Sequence, residues 1–269
     1  ETNDAKDALA TTGNIHWSVH LNARITSPLS VGPVTHRDAV NIIAPISNGD
    51  LVIFNRDNGR EIIRFANFAN REILTIPALA QLQGDERREI VFADISGKLN
   101  AIYFTGGEFR RLWNEDLVIY EAPLHSLVIH DINSDGIDDI FVGTGKYYHC
   151  FSGMTGKPLW PGMPLAHEII TGPAALHIPG DGMWIVTGDN RKACYILNSA
   201  TGNTPALMML KRAYNKTPAI FNTTIGNTCQ ILVMNEKSSQ FSPINLDVPL
   251  KPGQISWTGE GGNLLRTSH

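Results

Sequence analysis

Asp131-Ile132-Asn133-Ser134-Asp135-Gly136-Ile137-Asp138-Asp139, running straight into Ile140-Phe141-Val142, is the stretch whose reading decides the fold. Carboxylate or amide oxygens fall at loop positions one, three, five and nine, with Gly136 at six, where the chain must turn sharply. A hard cation takes six to eight oxygens, and this spacing lets one short loop supply most of them. The expected calcium ligands are the side chains of Asp131, Asn133, Asp135 and Asp139 and the carbonyl of Ile137, with water completing the shell. An EF-hand would place a Glu at position twelve, but Val142 stands there inside a β-branched run, so the loop is predicted to join two strands. Asn, Asp and Gly also build tight turns without any metal. Four oxygen-bearing side chains in phase with the glycine favour one structural ion that holds the loop shut and offsets carboxylate repulsion.

Working outward, β-branched runs recur at Ile42-Ile43, Ile90-Val91-Phe92, Ile140-Phe141-Val142, Ile185-Val186 and Ile231-Leu232-Val233, at intervals of about 45 to 50 residues. A turn keeps step with them: Asp57-Asn58-Gly59-Arg60, Thr105-Gly106-Gly107-Glu108, Thr155-Gly156-Lys157 and Thr201-Gly202-Asn203. Gly and Asn accept the positive φ of a hairpin turn, so each marks a hairpin between short strands. Phe65, Trp113 and Trp160 follow these turns and are expected to pack between neighbouring sheets. In the third unit the four predicted strands are residues 124–129, 140–143, 147–152 and 157–160. Units of this length, with turns every eight to twelve residues and no sustained helical period, predict an all-β chain of four-stranded β-propeller blades.

A shift of fifty residues lays Gln81, Gln83, Asp85, Arg87 and Glu89 over the ligand positions of the third unit. The second unit keeps the frame of the loop but loses most of its acids, so one unit in five is expected to hold the ion. The fifth unit is degenerate after Ser238, where Pro243, Pro249 and Pro252 interrupt the pattern. Residues 15–21 are strand-like and would close the ring by pairing with the last blade. Residues 1–13 are polar and alanine-rich and are expected to be a linker, leaving residues 14–269 as a single propeller domain, of five blades or a segment of a larger ring.

The cation loop running into Ile140-Phe141-Val142-Gly143 resembles an FG-GAP repeat of the kind found in integrin α-subunit propellers and bacterial surface proteins. Ser152-Gly153-Met154-Thr155-Gly156-Lys157-Pro158-Leu159-Trp160, with its weaker copy Asn198-Ser199-Ala200-Thr201-Gly202, is similar to PQQ-like, quinoprotein-type propeller repeats. Residues 257–267 resemble a tail that follows such propellers. The resemblance implies the fold more firmly than the function. Quinoprotein dehydrogenases carry a larger ring, dedicated cofactor ligands and vicinal cysteines, and this chain has no vicinal pair.

The 269 residues are 42% hydrophobic and 18% charged, an ordinary globular composition, and a net charge of -4 gives no reason to expect nucleic acid. No apolar run is long enough to cross a membrane as a helix. Cys150, Cys194 and Cys229 all fall in or beside predicted strands and read as buried thiols. His16, His20, His125, His130, His149 and His167 lack ligand spacing and read as surface or interblade hydrogen-bonding groups. No nucleophile elbow, phosphate-binding loop or zinc-protease motif occurs. The expected function is therefore a non-enzymatic, calcium-stabilised propeller presenting loops for protein or glycan binding, as in adhesion or an envelope scaffold. Its expected location is extracellular, at the cell surface or periplasmic, where millimolar calcium fills a site of modest affinity. The alternative is a carbohydrate-active lyase or hydrolase, or its binding module, whose acids meet only in the fold.

Overall fold

In a computed structural model of the chain, the second strands of the second and third repeats lack polar–apolar alternation because they are buried on both faces. Glu89–Ala93 and Asp139–Thr144 are buried along their whole length. The structure describes residues 15–66, 71–85, 87–113, 117–118, 127–169, 171–178, 182–202, 206–210, 219–222, 228–235, 240–249 and 257–258. They form antiparallel sheets that follow one another along the chain.

The first sheet is β1 (Ser30–Gly32), β2 (Asn41–Pro45), β3 (Leu51–Asn55) and β4 (Glu61–Phe65), in that order. The second is β5 (Ala78–Ala80), β6 (Glu89–Ala93), β7 (Lys98–Thr105) and β8 (Glu108–Arg111), with β9 (Leu117–Val118) also paired to β7. β10 (Val128–His130), β11 (Asp139–Thr144), β12 (Tyr147–Phe151) and β13 (Pro158–Pro164) make the third. β14 (Ala174–Ile178), β15 (Gly182–Gly188), β16 (Ala193–Asn198) and β17 (Ala206–Met209) make the fourth. β18 (Ala219–Asn222), β19 (Thr228–Asn235) and β20 (Gln240–Pro249) form a three-stranded sheet, and β21 (Trp257–Thr258) pairs with β14. The chain is all-β, with meandering four-stranded sheets of the kind that build a propeller.

The cores lie between sheets. Ile43, Ile53 and Leu51 of the first pack on Leu79, Ile90 and Ile102 of the second. Val91 and Ala101 meet Ile129, Ile140 and Trp113 between the second and third. Phe141, Tyr148 and Trp160 meet Ile185, Tyr195 and Leu197 between the third and fourth. The outermost strands are the exposed edges, which is why β13 accommodates Pro161 and Pro164.

The aromatics after the turns act as pins. The Trp113 indole N–H donates to the Gly153 carbonyl of the next sheet at 3.0 Å, and Trp160 donates to the Ser199 carbonyl at 2.8 Å. Each ring lies on the following hairpin's glycine. At Gly156, with φ of 71°, an added Cβ would come within 2.8 Å of the Trp113 ring, so both the turn and the pin require glycine. Phe65 fills the same position at the first sheet and packs edge-on against Phe92 and Phe109.

Three expectations need correction. The third unit's last strand runs on to Pro164, and of its expected first strand residues 124–126 lie outside the described residues while Val128–His130 is extended. Pro243 does not interrupt the fifth unit, because it lies within the ten-residue strand β20, which pairs on one side with β19 and is an edge among the described residues. Of the stretch that resembles a tail, Trp257 and Thr258 pair with β14 at the edge of the fourth sheet, and residues 259–267 lie outside the described residues. Residues 15–21 make no ladder with the last sheet among the described residues.

Candidate functional site

The loop from Asp131 to Asp139 leaves β10 and enters β11. Asp131 accepts the backbone N–H of Asp135 at 3.1 Å through Oδ1 and that of Gly136 at 2.9 Å through Oδ2. Asn133 Oδ1 accepts the Asp135 N–H at 3.0 Å, and Asp135 Oδ1 accepts the Ile137 N–H at 2.9 Å. Ser134 and Gly136 hold positive φ, 63° and 85°, which bends the chain around these side chains. Asn133 and Asp135 are exposed, whereas Ile137, Asp138 and Asp139 are buried.

Asp139 does a job that the repeat performs elsewhere with a Glu and with an uncharged Asn. Its Oδ2 accepts the N–H of Ile132, seven residues back, at 3.1 Å, and its Oδ1 accepts the Gly153 N–H at 3.1 Å. At the matching place in the second sheet, Glu89 Oε2 accepts the Leu82 N–H at 2.7 Å. In the first sheet Asn41 Oδ1 accepts the N–H of Val34 and Thr35 at 3.2 and 3.1 Å. All three side chains are buried. They close the connection between first and second strands, so the position selects a buried acceptor rather than a charge. Burial pushes the Asp139 carboxyl up to about 6, against the two N–H donors that favour the carboxylate, and raises Glu89 for the same reason.

Asp138, which is not among the expected calcium ligands, joins the blades. Its N–H donates to the Gln81 carbonyl at 2.9 Å, its Oδ2 accepts the Gln81 N–H at 2.8 Å, and Arg88 Nη1 reaches it at 3.4 Å. One unit earlier, the Arg88 N–H donates to the Pro33 carbonyl at 3.0 Å. The signal was present in the fifty-residue shift, which lays Asp138 over Arg88, but the joint became visible only once both sheets were placed.

The second unit also shows how its own loop acid is neutralised. Asp85 accepts the Arg87 N–H at 2.9 Å, repeating the Asp135 turn, and the Arg87 guanidinium reaches the same carboxylate at 2.7 Å. Hydrogen bonds from Arg87 hold Asp85 below the usual carboxylate range, even though burial opposes them. In the third unit Ile137 occupies the place of Arg87 and brings no charge to Asp135.

As a donor set, the loop fits a hard cation: every candidate ligand is oxygen, and each carboxylate oxygen keeps a lone pair beyond its N–H bond. Among the described residues, however, no three His, Cys, Asp or Glu side chains are gathered into a cluster that could hold a metal, and Asp139 is turned onto backbone donors.

The histidines separate. His16, His20 and His167 are exposed, and His125 lies outside the described residues. His149 is not at the surface. It is buried within the third sheet, 3.3 Å from Thr144 Oγ1 and stacked on Phe151, and burial lowers its pKa. Cys150 and Cys194 are buried free thiols, while the Cys229 side chain lies outside the description. A pocket of about 320 Å³ beside the first sheet's turn is lined by Asn55, Asn58, Arg60, Glu61 and Ile62. Its one carboxylate, Glu61, is bridged to Arg64 at 3.0 Å, which leaves no acid pair for glycoside chemistry in that pocket.

No protein-family model matches the chain, and no curated protein does. Solved structures do. BamB from Moraxella catarrhalis is similar with a TM-score of 0.56 and 12% identity, over 85% of this chain and 64% of that one. BBS1N in complex with ARL6DN is similar in a lead-soaked crystal (TM-score 0.59, 14% identity, 89% of this chain and 68% of that one). A mercury-soaked crystal of the same complex gives 0.58 and 14%, over 88% of this chain and 69% of that one. Both proteins are β-propellers, and with the sheet order above they place this chain in that fold.

Proposed function

We propose that the chain is a non-enzymatic β-propeller scaffold, built from five repeat units of the FG-GAP and PQQ-like type, that presents its loops to a protein partner outside the cytoplasm. One observation carries the calcium part of this reading. In the second unit the Arg87 guanidinium covers the loop acid, whereas the third unit offers Asp131, Asn133 and Asp135 with an apolar residue at that place. A calcium ion would supply the missing positive charge, held by Asp131, Asn133, Asp135, the Ile137 carbonyl and Asp139, and so brace the loop that Asp138 ties to the second blade. Millimolar calcium outside the cytoplasm suits such a site, which supports an extracellular, cell-surface or periplasmic location.

Protein binding is favoured over glycan binding because BBS1N, one of the similar structures, was crystallised in complex with ARL6DN. Calorimetric titration of calcium into chelator-treated protein tests the ion: binding is expected in wild type and lost in Asp135→Asn. An unchanged melting temperature between chelator and millimolar calcium would refute the structural-ion reading. Affinity capture from the native host with cross-linking, run beside a glycan array, tests the scaffold. Enrichment of one protein at loop residues supports it, and a glycan hit without a protein overturns it.

A further inference from the structure

An extra residue interrupts the outer strand of the first sheet. Glu61 pairs with Phe54 and Ile63 with Ile53, so Ile62 has no partner on β3 and stands out as an exposed bulge. The third sheet carries the same bulge at Leu159, between Pro158 opposite Phe151 and Trp160 opposite Cys150. The pocket of about 320 Å³ lies at the first sheet's bulge, where Ile62 and Glu61 meet Asn55, Asn58 and Arg60 of the turn. That turn is fixed on both sides. The Gly59 N–H donates to the Asn55 carbonyl at 2.9 Å, and the Trp17 indole, whose ring lies on Gly59, donates to the Arg56 carbonyl at 2.8 Å, as Trp113 does to Gly153.

What the pocket has to spare is donors. Asn55 Oδ1 accepts the N–H of Asp57 and of Asn58 at 2.8 and 3.2 Å, and Asn58 Oδ1 accepts that of Arg60 at 3.0 Å. Each carboxamide thus spends its oxygen on the turn and keeps its amino group for a ligand. The Glu61 carboxylate is held by Arg64 through Nε at 3.2 Å and Nη2 at 3.0 Å, and Asp57 is held by Arg56 at 3.1 Å. The Arg60 guanidinium has no carboxylate partner among the described residues. Two amide donors and a guanidinium beside an exposed isoleucine suit a carboxylate carried next to an apolar group. No aromatic residue lines the pocket, so a sugar ring finds no face to stack on, which favours a peptide acid over an acidic sugar.

We propose that this pocket binds the carboxylate of an Asp or Glu side chain on a protein partner, with Arg60 and the Asn55 and Asn58 carboxamides donating and Ile62 packing on the partner's adjacent apolar side chain. The matching turn of the third sheet has Ser152, Thr155 and Lys157 in place of Asn55, Asn58 and Arg60, and so serves as an internal control without carboxamide donors. The proposal rests on the protein-partner reading only for the source of the carboxylate, and it does not depend on calcium.

Titration of the isotope-labelled whole chain with the end-capped peptide Val-Glu-Val, followed by nuclear magnetic resonance, tests it. The side-chain amide signals of Asn55 and Asn58 should shift, with an affinity at least about tenfold weaker in Arg60→Gln and unchanged in Lys157→Gln. The uncharged peptide Val-Gln-Val should leave those signals in place. The proposal is overturned by the absence of any shift with Val-Glu-Val at millimolar concentration, by equal shifts with Val-Gln-Val, by equal weakening in Lys157→Gln, or by tighter binding of galacturonate, which would assign the pocket to an acidic sugar. A captured partner whose binding is indifferent to Arg60→Gln overturns the pocket's role and leaves the scaffold reading standing. A peptide response with no captured partner upholds the pocket and counts against the scaffold.

Discussion

Gly153 is the point where the third sheet's turn, its β10–β11 loop and the second sheet meet, and replacing it with alanine is the sharpest test of that joint. It does not adopt positive φ, so Gly153→Ala carries no backbone penalty of its own. The whole cost is spatial: the new methyl would overlap the Asp138 carbonyl oxygen and come within 2.6 Å of the Leu82 side chain. Relieving the overlap means moving the strand entry at Asp138 away from the turn. That stretches the Gly153 N–H bond to Asp139 and the Trp113 bond to the Gly153 carbonyl, now 3.1 and 3.0 Å. A hydrogen bond to a carboxylate contributes about 1.5–3 kcal/mol and a neutral one about 1 kcal/mol, with residual crowding added. The expected loss is about 3–5 kcal/mol, or a melting temperature lower by at least about 6 °C for a chain of this size. Gly106→Ala is the control, since Gly106 has φ of 60° and open space around it. It should cost only the left-handed backbone term, about 1–2 kcal/mol. Circular-dichroism melts of both variants at one fixed calcium concentration read the difference. If Gly153→Ala costs no more than Gly106→Ala, the joint is not where the strain falls and the reasoning fails.

Trp160→Phe keeps most of the apolar contact but strands the Ser199 carbonyl, so a loss of about 1–3 kcal/mol in urea unfolding is expected, with no change in far-ultraviolet spectrum. Burial holds the His149 pKa below its unfolded value, so its contribution is present above the unfolded pKa, near 6.5, and is lost as pH falls; His149→Phe should flatten the acid side of the stability–pH curve between about pH 7 and 5. Burial pushes the Cys194 thiol up to about 12 from 9.0, so its neutral form stabilises the fold below about pH 9 and that contribution fades as pH rises toward 12. Native protein at pH 8 should therefore leave Cys194 unlabelled by iodoacetamide until it unfolds, as read by peptide mass spectrometry.

Sheets, turns and loop frame were legible in the sequence because each follows from local chemistry. Doubly buried strands read as unbroken β-branched runs, and hairpins need glycine where φ is positive, as at Gly59, Gly156 and Gly202. The loop from Asp131 to Asp139 was legible for the same reason, since its oxygens and its Gly136 turn lie within nine residues. What Asp138, Asp139 and His149 do was not legible. Asp138 meets Gln81 and Arg88, Asp139 meets Gly153, and His149 sinks beside Phe151, all according to how sheets stack.

The sequence alone therefore determined an all-β repeat with one acidic loop, because periodicity and turn preference act over a few bonds and leave their mark on residue type. Only the tertiary structure decided that Asp139 shares its task with Asn41 and Glu89, that Asp138 ties blade to blade, and that Trp17 pins like Trp113 and Trp160. Those roles depend on which backbone groups are brought within hydrogen-bonding distance across 6 to 57 residues of chain, and no local preference encodes that.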